Sequence, residues 1–220
     1  MIDLSKIQKR STAEIAKRIV QDIPDGAHVN LGIGQPMTIS NYLPDDKEIL
    51  LHSENGLLGM GPLAKGSEVD EELVNAGKQP VTMLPGASLC HHADSFVMIR
   101  GGHIDICVLG AFQVSVHGDI ANWRTGDPRA IPAVGGAMDL ALGAKKLFVM
   151  MEHLTKSGES KLVMQCTYPL TALAAVDCIY TDLATIAVTP NGLLAIDWVE
   201  GLSFEDLQKL SGVPMMRADK

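Results

Sequence analysis

Short apolar runs that alternate with helical segments are the feature of this sequence that most constrains its fold. Residues 104–109 are continuously apolar apart from Asp105, and residues 147–151 repeat the pattern after a helix-like segment at 138–144. Such runs are typical of strands buried on both faces, and their alternation with helices predicts a parallel arrangement. We therefore expect an α/β fold, with an open, largely parallel sheet and helices on both faces.

Helices are predicted near both ends of the chain. Residues 11–22 carry apolar side chains at helical spacing, with Ser11 or Thr12 as the N-cap and Glu14 placed for a capping interaction. Residues 202–210 have the same character, with Ser203 as the N-cap. The remaining predicted elements are strands at 27–31, 48–52 and 81–84, the last ending at Pro85-Gly86, a loop at 62–72, and at least two strands within 177–198. Because no linker, repeat or low-complexity segment interrupts the chain, residues 1–220 are expected to form one domain.

The balance of charges argues against a nucleic-acid partner. The chain has 18 Lys and Arg against 26 Asp and Glu, a formal net charge of −8, and its basic residues are scattered. No apolar run reaches the length of a membrane span, and residues 1–18 are polar with no apolar signal core. We therefore expect a cytoplasmic protein without a membrane partner. The four cysteines are widely spaced, which predicts reduced thiols.

Glu54 is the candidate reactive residue. It follows an apolar strand at the point where open α/β sheets bind ligands, and Asn55 and Gly56 leave the neighbouring backbone unshielded. Two further glycine loops, at 30–34 and 134–137, would present backbone N–H groups to an oxyanion if all three loops converge at one sheet edge. The alternative is that each loop is only a tight turn and that Glu54 is a solvated surface charge.

The residue types at these loops permit acyl transfer. A glutamate with an ordinary pKa of about 4.3 is ionised at neutral pH and can attack a thioester without a general base. The glycine pattern lacks both the third glycine of a dinucleotide fingerprint and the Gly-Lys-Ser/Thr of a P-loop. Residues 90–94, which contain His91 and His92, read as an ordinary loop with no second ligand pair at zinc spacing. No metal site is expected.

The heptapeptide Ser-Glu-Asn-Gly-Leu-Leu-Gly at 53–59 resembles the signature of the β subunit of family I coenzyme A transferases, the 3-oxoacid group. The resemblance covers about residues 15–214. It implies that Glu54 is the nucleophile. Other segments that match in order are 29–34, 75–77, 99–103, 119–123, 135–140 and 168–171.

The resemblance also implies a ping-pong reaction through a glutamyl-CoA thioester on Glu54. The CoA thioester is a substrate, so no resident cofactor or metal is implied. Members of this family divide their parts between two homologous halves, and this chain resembles the half that carries the glutamate. An α subunit is therefore expected as the partner, in an αβ or α2β2 assembly.

Five further positions acquire candidate roles from the resemblance. Backbone amides at Asn30 and Gly136 would stabilise the oxyanion, with Gly135 as the alternative to Gly136. That choice stays open because the loop before Gly135 is one residue longer than in some family members. Asn55 and Gly56 are candidate substrate contacts.

The acceptor is indicated by two other segments. Residues 90–96 and 110–116 resemble the 3-oxoadipate branch of the family more than the acetoacetate branch, which favours succinyl-CoA as donor and a dicarboxylate acceptor. We hypothesise that His91 or His92 helps to bind the distal carboxylate. One alternative is succinyl-CoA:acetoacetate transfer. Another is a non-catalytic sugar-phosphate-binding module, because sugar-phosphate isomerases resemble this family in fold.

Overall fold

The computed structural model describes residues 4, 7–126, 129 and 133–219. The helices are α1 (Thr12–Asp22), α2 (His92–Arg100), α3 (Ala137–Gly143) and α4 (Phe204–Ser211), with 3₁₀ helices at Gln35–Asn41 and Gly66–Glu68. The strands are β1 (His28–Leu31), β2 (Leu50–Ser53), β3 (Leu57–Leu63), β4 (Val81–Leu89), β5 (Ile106–Leu109), β6 (Gln113–Ser115), β7 (Ile120–Ala121), β8 (Lys146–Met151), β9 (Leu162–Val163), β10 (Val176–Thr181), β11 (Ala184–Thr189), β12 (Gly192–Trp198) and β13 (Met215–Arg217).

The main sheet has ten strands in the order β13-β12-β11-β10-β8-β5-β1-β2-β3-β4. Its centre, from β10 to β2, is parallel throughout, and antiparallel hairpins flank this centre on both sides. Strands β7, β6 and β9 form a separate small sheet. The predicted α/β fold with a largely parallel sheet is therefore confirmed.

Helices cover both faces of the main sheet, as predicted. Alternate side chains of β5 enter different cores, because successive residues of a strand point to opposite faces. Val108 packs in the core that contains Ile19 of α1, whereas Cys107 packs in the core that contains Ile99 of α2 and Leu207 of α4. Among the described residues, no helix is long and apolar enough to cross a lipid bilayer.

Local hydrogen bonds explain where α1 and α4 begin. Ser11 and Glu14 form a reciprocal capping box at α1, and the Ser203 hydroxyl accepts from the Asp206 N–H at 3.1 Å at α4. Both helix starts agree with the sequence prediction, and all four cysteines are free thiols as expected.

Three elements differ from the prediction. Residues 57–63 form β3, which extends into the predicted loop at 62–72, and β4 continues past Pro85 to Leu89. Because β4 lies at the edge of the sheet, one of its sides has no neighbouring strand, and proline, which has no N–H to donate, is tolerated there. Residues 92–100 form α2, although residues 90–94 were predicted to be a loop. The N-cap of α2 is His91, and histidine is not one of the residue types usually expected at that position.

Candidate active site

Glu54 lies in a tight turn at the carboxyl end of β2. The turn is closed by the Gly56 N–H, which donates to the Ser53 carbonyl at 2.9 Å. Gly56 has a φ of +110°, and a Cβ there would collide with the Cys90 carbonyl oxygen, so both the conformation and the close approach require glycine. The same contact carries a hydrogen bond from the Cys90 N–H to the Gly56 carbonyl at 2.8 Å. The turn that presents Glu54 is thus hydrogen-bonded to the segment just before α2.

Gly136 lies directly against the Glu54 carboxylate. A Cβ at Gly136 would sit 2.6 Å from Glu54 Oε2 and 2.8 Å from Phe96 Cζ, so any larger residue would displace these side chains. Within the described part of the chain, neither the Gly135 nor the Gly136 N–H is hydrogen-bonded to a protein acceptor. Gly135 has a φ of +52° and open space around it. Two of the predicted loops therefore meet at Glu54.

The predicted extra residue in the loop before Gly135 cannot be placed in this structure. Residues 127–128 and 130–132 of that loop lie outside the described residues.

Burial sets the electrostatics of Glu54. Loss of hydration raises the pKa of Glu54 above its usual value, His92 opposes the shift, and Asp139 adds to it. Asp139 is itself held by Arg100 through bonds of 2.7 and 3.2 Å to its two carboxylate oxygens. This pairing engages the Arg100 guanidinium.

A buried polar network lies behind Glu54. The Asn30 side-chain amide is 3.0 Å from His52 Nδ1, and His52 Nε2 is 2.9 Å from Ser95 Oγ. Burial lowers the pKa of His52 to about 4, so its imidazole is neutral at pH 7. Asn30 is 1% exposed, and it does not line the cleft in front of Glu54, whereas the following residue, Leu31, does. The oxyanion role of Asn30 stays a prediction.

The two adjacent histidines have different surroundings. His91 Nδ1 accepts from the Ala93 N–H at 3.1 Å and caps α2. The His92 ring packs on Phe96 with centroids 4.9 Å apart and acts electrostatically on Glu54. The capping contact uses only Nδ1 of His91, and neither histidine is among the residues that line the cleft in front of Glu54. A substrate role for His91 or His92 stays a prediction.

The Asn55 side chain makes a structural contact in this structure. Its amide nitrogen donates to the Val74 carbonyl at 2.7 Å. A substrate role for Asn55 and Gly56 remains a prediction.

A cleft of about 540 Å³ opens in front of Glu54, within the range of small-molecule sites. All three glycine loops reach its wall, through Gly32, Glu54 and Gly136. Gly32 is needed there because a Cβ would lie 2.7 Å from Leu109 Cδ2. Other wall residues are Ile33, Gln35, Ala76, Phe112, Asn122, Trp123, Leu140, Met151, Glu152 and Lys161.

Two charged wall residues, Glu152 and Lys161, have no signal in the sequence that would have marked them as part of a site. Glu152 follows β8 and Lys161 precedes β9, and both are about a hundred residues from Glu54 along the chain. Only the tertiary fold brings them to the cleft. Within the described residues, no three His, Cys, Asp or Glu side chains cluster as metal ligands do.

Comparison with known proteins points to one family. Residues 12–199 match the sequence model of the family described as Coenzyme A transferase. The chain is 62% identical over 210 residues to the B subunit of 3-oxoadipate CoA-transferase from Pseudomonas putida, covering 96% of this chain and 98% of that one. It is 45% identical over 195 residues to the B subunit of succinyl-CoA:3-ketoacid coenzyme A transferase from Helicobacter pylori, covering 89% and 93%.

A solved structure shares the fold. The apoenzyme of an acyl-CoA transferase from Escherichia coli O157:H7 superposes with a TM-score of 0.75 at 18% identity, over 95% of this chain and 42% of that chain. At this identity the likeness concerns the fold alone.

Proposed function

This chain belongs to the coenzyme A transferase family, and from that premise we propose that it transfers CoA from succinyl-CoA to 3-oxoadipate through Glu54. The names of its relatives support the reaction, and the 62% identical relative is named for 3-oxoadipate. The observation that carries the proposal is that Gly136 packs beside Glu54, so closely that a Cβ there would come within 2.6 Å of Oε2, and that its N–H has no acceptor among the described residues.

The proposed first half-reaction begins with attack of a Glu54 carboxylate oxygen on the thioester carbonyl carbon. The carbon–sulfur bond breaks, CoA leaves as its thiolate, and a mixed anhydride forms on Glu54. The thiolate then attacks the glutamyl carbonyl and expels succinate, which leaves a glutamyl-CoA thioester. The acceptor carboxylate reverses these steps, so every bond broken is matched by one formed and no resident cofactor or metal is required.

Backbone donors would stabilise both tetrahedral intermediates. The Gly136 N–H is the better placed candidate, since Gly136 touches the Glu54 carboxylate, whereas Gly135 remains the alternative. Partial burial of the cleft strengthens such hydrogen bonds, because water competes less for the donors.

A partner subunit is part of the proposal. The relatives that match over nearly their whole length are named as the B subunits of their transferases, which supports an α subunit, in an αβ or α2β2 assembly. The net charge of −8 opposes an anionic CoA ester, so a partner would have to supply attraction for it. The chain purified alone should show little or no transferase activity. Full activity without a partner would refute this part of the proposal.

The acceptor has a second candidate. Transfer from succinyl-CoA to acetoacetate is supported by the 45% identical relative, which is named for 3-ketoacids. A contribution of His91 or His92 to choosing between the acceptors remains part of the proposal, with His91 offering only the ring nitrogen that does not cap α2. A non-catalytic sugar-phosphate-binding role is not favoured, since the family match is to transferases.

The direct kinetic test is Glu54→Gln in the reconstituted pair. We expect a loss of turnover of at least about 10³-fold, because an amide cannot form the anhydride. Glu48→Gln is the matched control, since Glu48 is exposed just before β2 and outside the cleft wall. Wild-type turnover in Glu54→Gln would refute the role of Glu54. A wild-type pair with no transferase activity would instead favour the binding-module alternative.

A further inference from the structure

Lys161 is the one cation among the described residues that line the cleft. Both its backbone N–H and its carbonyl are hydrogen-bonded. The Lys161 N–H donates to the His153 carbonyl at 3.1 Å, and the Lys161 carbonyl accepts from the Val114 N–H at 3.0 Å. The side chain therefore starts from a rigid position in the cleft wall.

The Lys161 ammonium makes no hydrogen bond or ion pair with the residues that the structure describes. Two acids act on it from a distance, and both are engaged elsewhere. Asp182 accepts from a backbone N–H at 2.7 Å and pairs with Lys9 at 2.9 Å, and the exposed Glu152 accepts from Gln35 at 3.3 Å. Burial lowers the pKa of Lys161, and the two acids oppose that shift.

A half-buried ammonium with three donors and no protein partner is unfavourable until a ligand supplies acceptors. Lys161 directly precedes β9 of the small sheet, whereas Glu54 follows β2 of the main sheet, so the two residues line different parts of the cleft wall. A ligand that reacts at Glu54 and also reaches Lys161 needs a second anionic group, remote from its acyl carbon.

We propose that Lys161 binds the free carboxylate of dicarboxylic substrates in this cleft. The inference rests on the proposed function, in which the succinyl donor and the 3-oxoadipate acceptor both carry such a group. Acetoacetate ends in a methyl group and forms no ion pair there. A local cation is also what an acidic chain requires to hold a dianion against its overall field.

The test uses the reconstituted pair and two acceptors of equal length, 3-oxoadipate and 3-oxohexanoate, which has a methyl group in place of the distal carboxylate. In ping-pong kinetics, kcat/KM for the acceptor reports the acceptor half-reaction alone. Lys161→Met should lower kcat/KM for 3-oxoadipate by at least about tenfold, as expected for a lost charged hydrogen bond, and leave the value for 3-oxohexanoate within about twofold. Lys161→Arg should keep most of the preference.

Lys156→Met is the matched control, because Lys156 is exposed in the same segment and lies outside the cleft wall. An equal loss for both acids in Lys161→Met, or no loss for either, would overturn the proposal. The proposal would also be overturned if His92→Asn lost the preference for 3-oxoadipate over 3-oxohexanoate while Lys161→Met kept it. Lys161→Arg and the 3-oxohexanoate rate both report whether the fold survives. A wild-type pair that transfers CoA to neither acid would instead refute the proposed function itself.

Discussion

His52 Nε2 lies 2.9 Å from Ser95 Oγ, and this buried contact joins the strand that carries Glu54 to helix α2. Both residues are at most 1% exposed, and the other His52 ring nitrogen lies 3.0 Å from the Asn30 amide. The position of Glu54 relative to α2 therefore depends on an internal polar network as well as on apolar packing.

Ser95→Ala should destabilise the protein by about 1–3 kcal/mol, because the His52 N–H loses its partner in a buried site. Urea unfolding measures the change as a lower midpoint. Ser88→Ala serves as the control, since Ser88 is exposed on edge strand β4. Equal stabilities of the two variants would show that the contact does not support the fold.

Gly136→Ala should reduce turnover by at least about 100-fold while the protein remains folded. The added methyl group would meet the far end of the Glu54 side chain and the Phe96 ring, and it would displace the carboxylate from the backbone donors. Gly126→Ala is the control, because Gly126 is exposed with open space around its Cα. Steady-state kinetics of the reconstituted pair decide the point, and near-normal turnover in Gly136→Ala would contradict the assigned geometry.

The pH dependence of turnover should report the charges around Glu54. Burial raises the pKa of Glu54, so the acid limb of kcat/KM should lie above the ordinary value for a glutamate. Asp139→Asn should move that limb to lower pH, because Asp139 raises the pKa of Glu54. His92→Asn should move it to higher pH, because His92 lowers that pKa. Shifts in the same direction in both variants would contradict this description.

Stability should fall as the pH is lowered from about 6.5 towards 5. Burial lowers the pKa of His52 and of His153 to about 4, from an ordinary value of 6.5. Over this range the unfolded chain binds protons that the native state does not. Each histidine therefore lowers the free energy of unfolding by up to roughly 3 kcal/mol by pH 4. Urea unfolding as a function of pH measures the slope. Stability that is constant or rises on acidification to pH 5 would be inconsistent with neutral buried imidazoles.

The sequence predicted the parallel centre of the sheet because strands such as β5 and β8 are short apolar runs, a signal that is local. Strand β3 and the second half of β4 were missed because Gly59 and Pro85 interrupt the strand pattern. Pro85 is tolerated because β4 is the edge strand, and the register between β3 and β4 is irregular. Helix α2 was missed because only Ser95 and Ile99 of its residues are buried, which leaves a weak helical pattern.

The residues of the site also differ in how well the sequence predicts them. Glu54 and Gly136 stand in recognisable glycine motifs, so their approach could be anticipated from residues close to them in sequence. Phe96 reaches Gly136, and Lys161 reaches the cleft, only through tertiary packing between distant segments. Nothing in the local sequence around Lys161 distinguishes a cleft cation from a solvated one.

Chemical trapping of the intermediate tests the central claim most directly. The reconstituted pair would be incubated with succinyl-CoA, reduced with borohydride and digested, and the peptide that contains Glu54 analysed by mass spectrometry. We predict that the Glu54 side chain is converted to the alcohol that a reduced thioester gives, only when the donor is present. An active pair in which Glu54 stays unmodified, or in which another residue is reduced, would contradict the account.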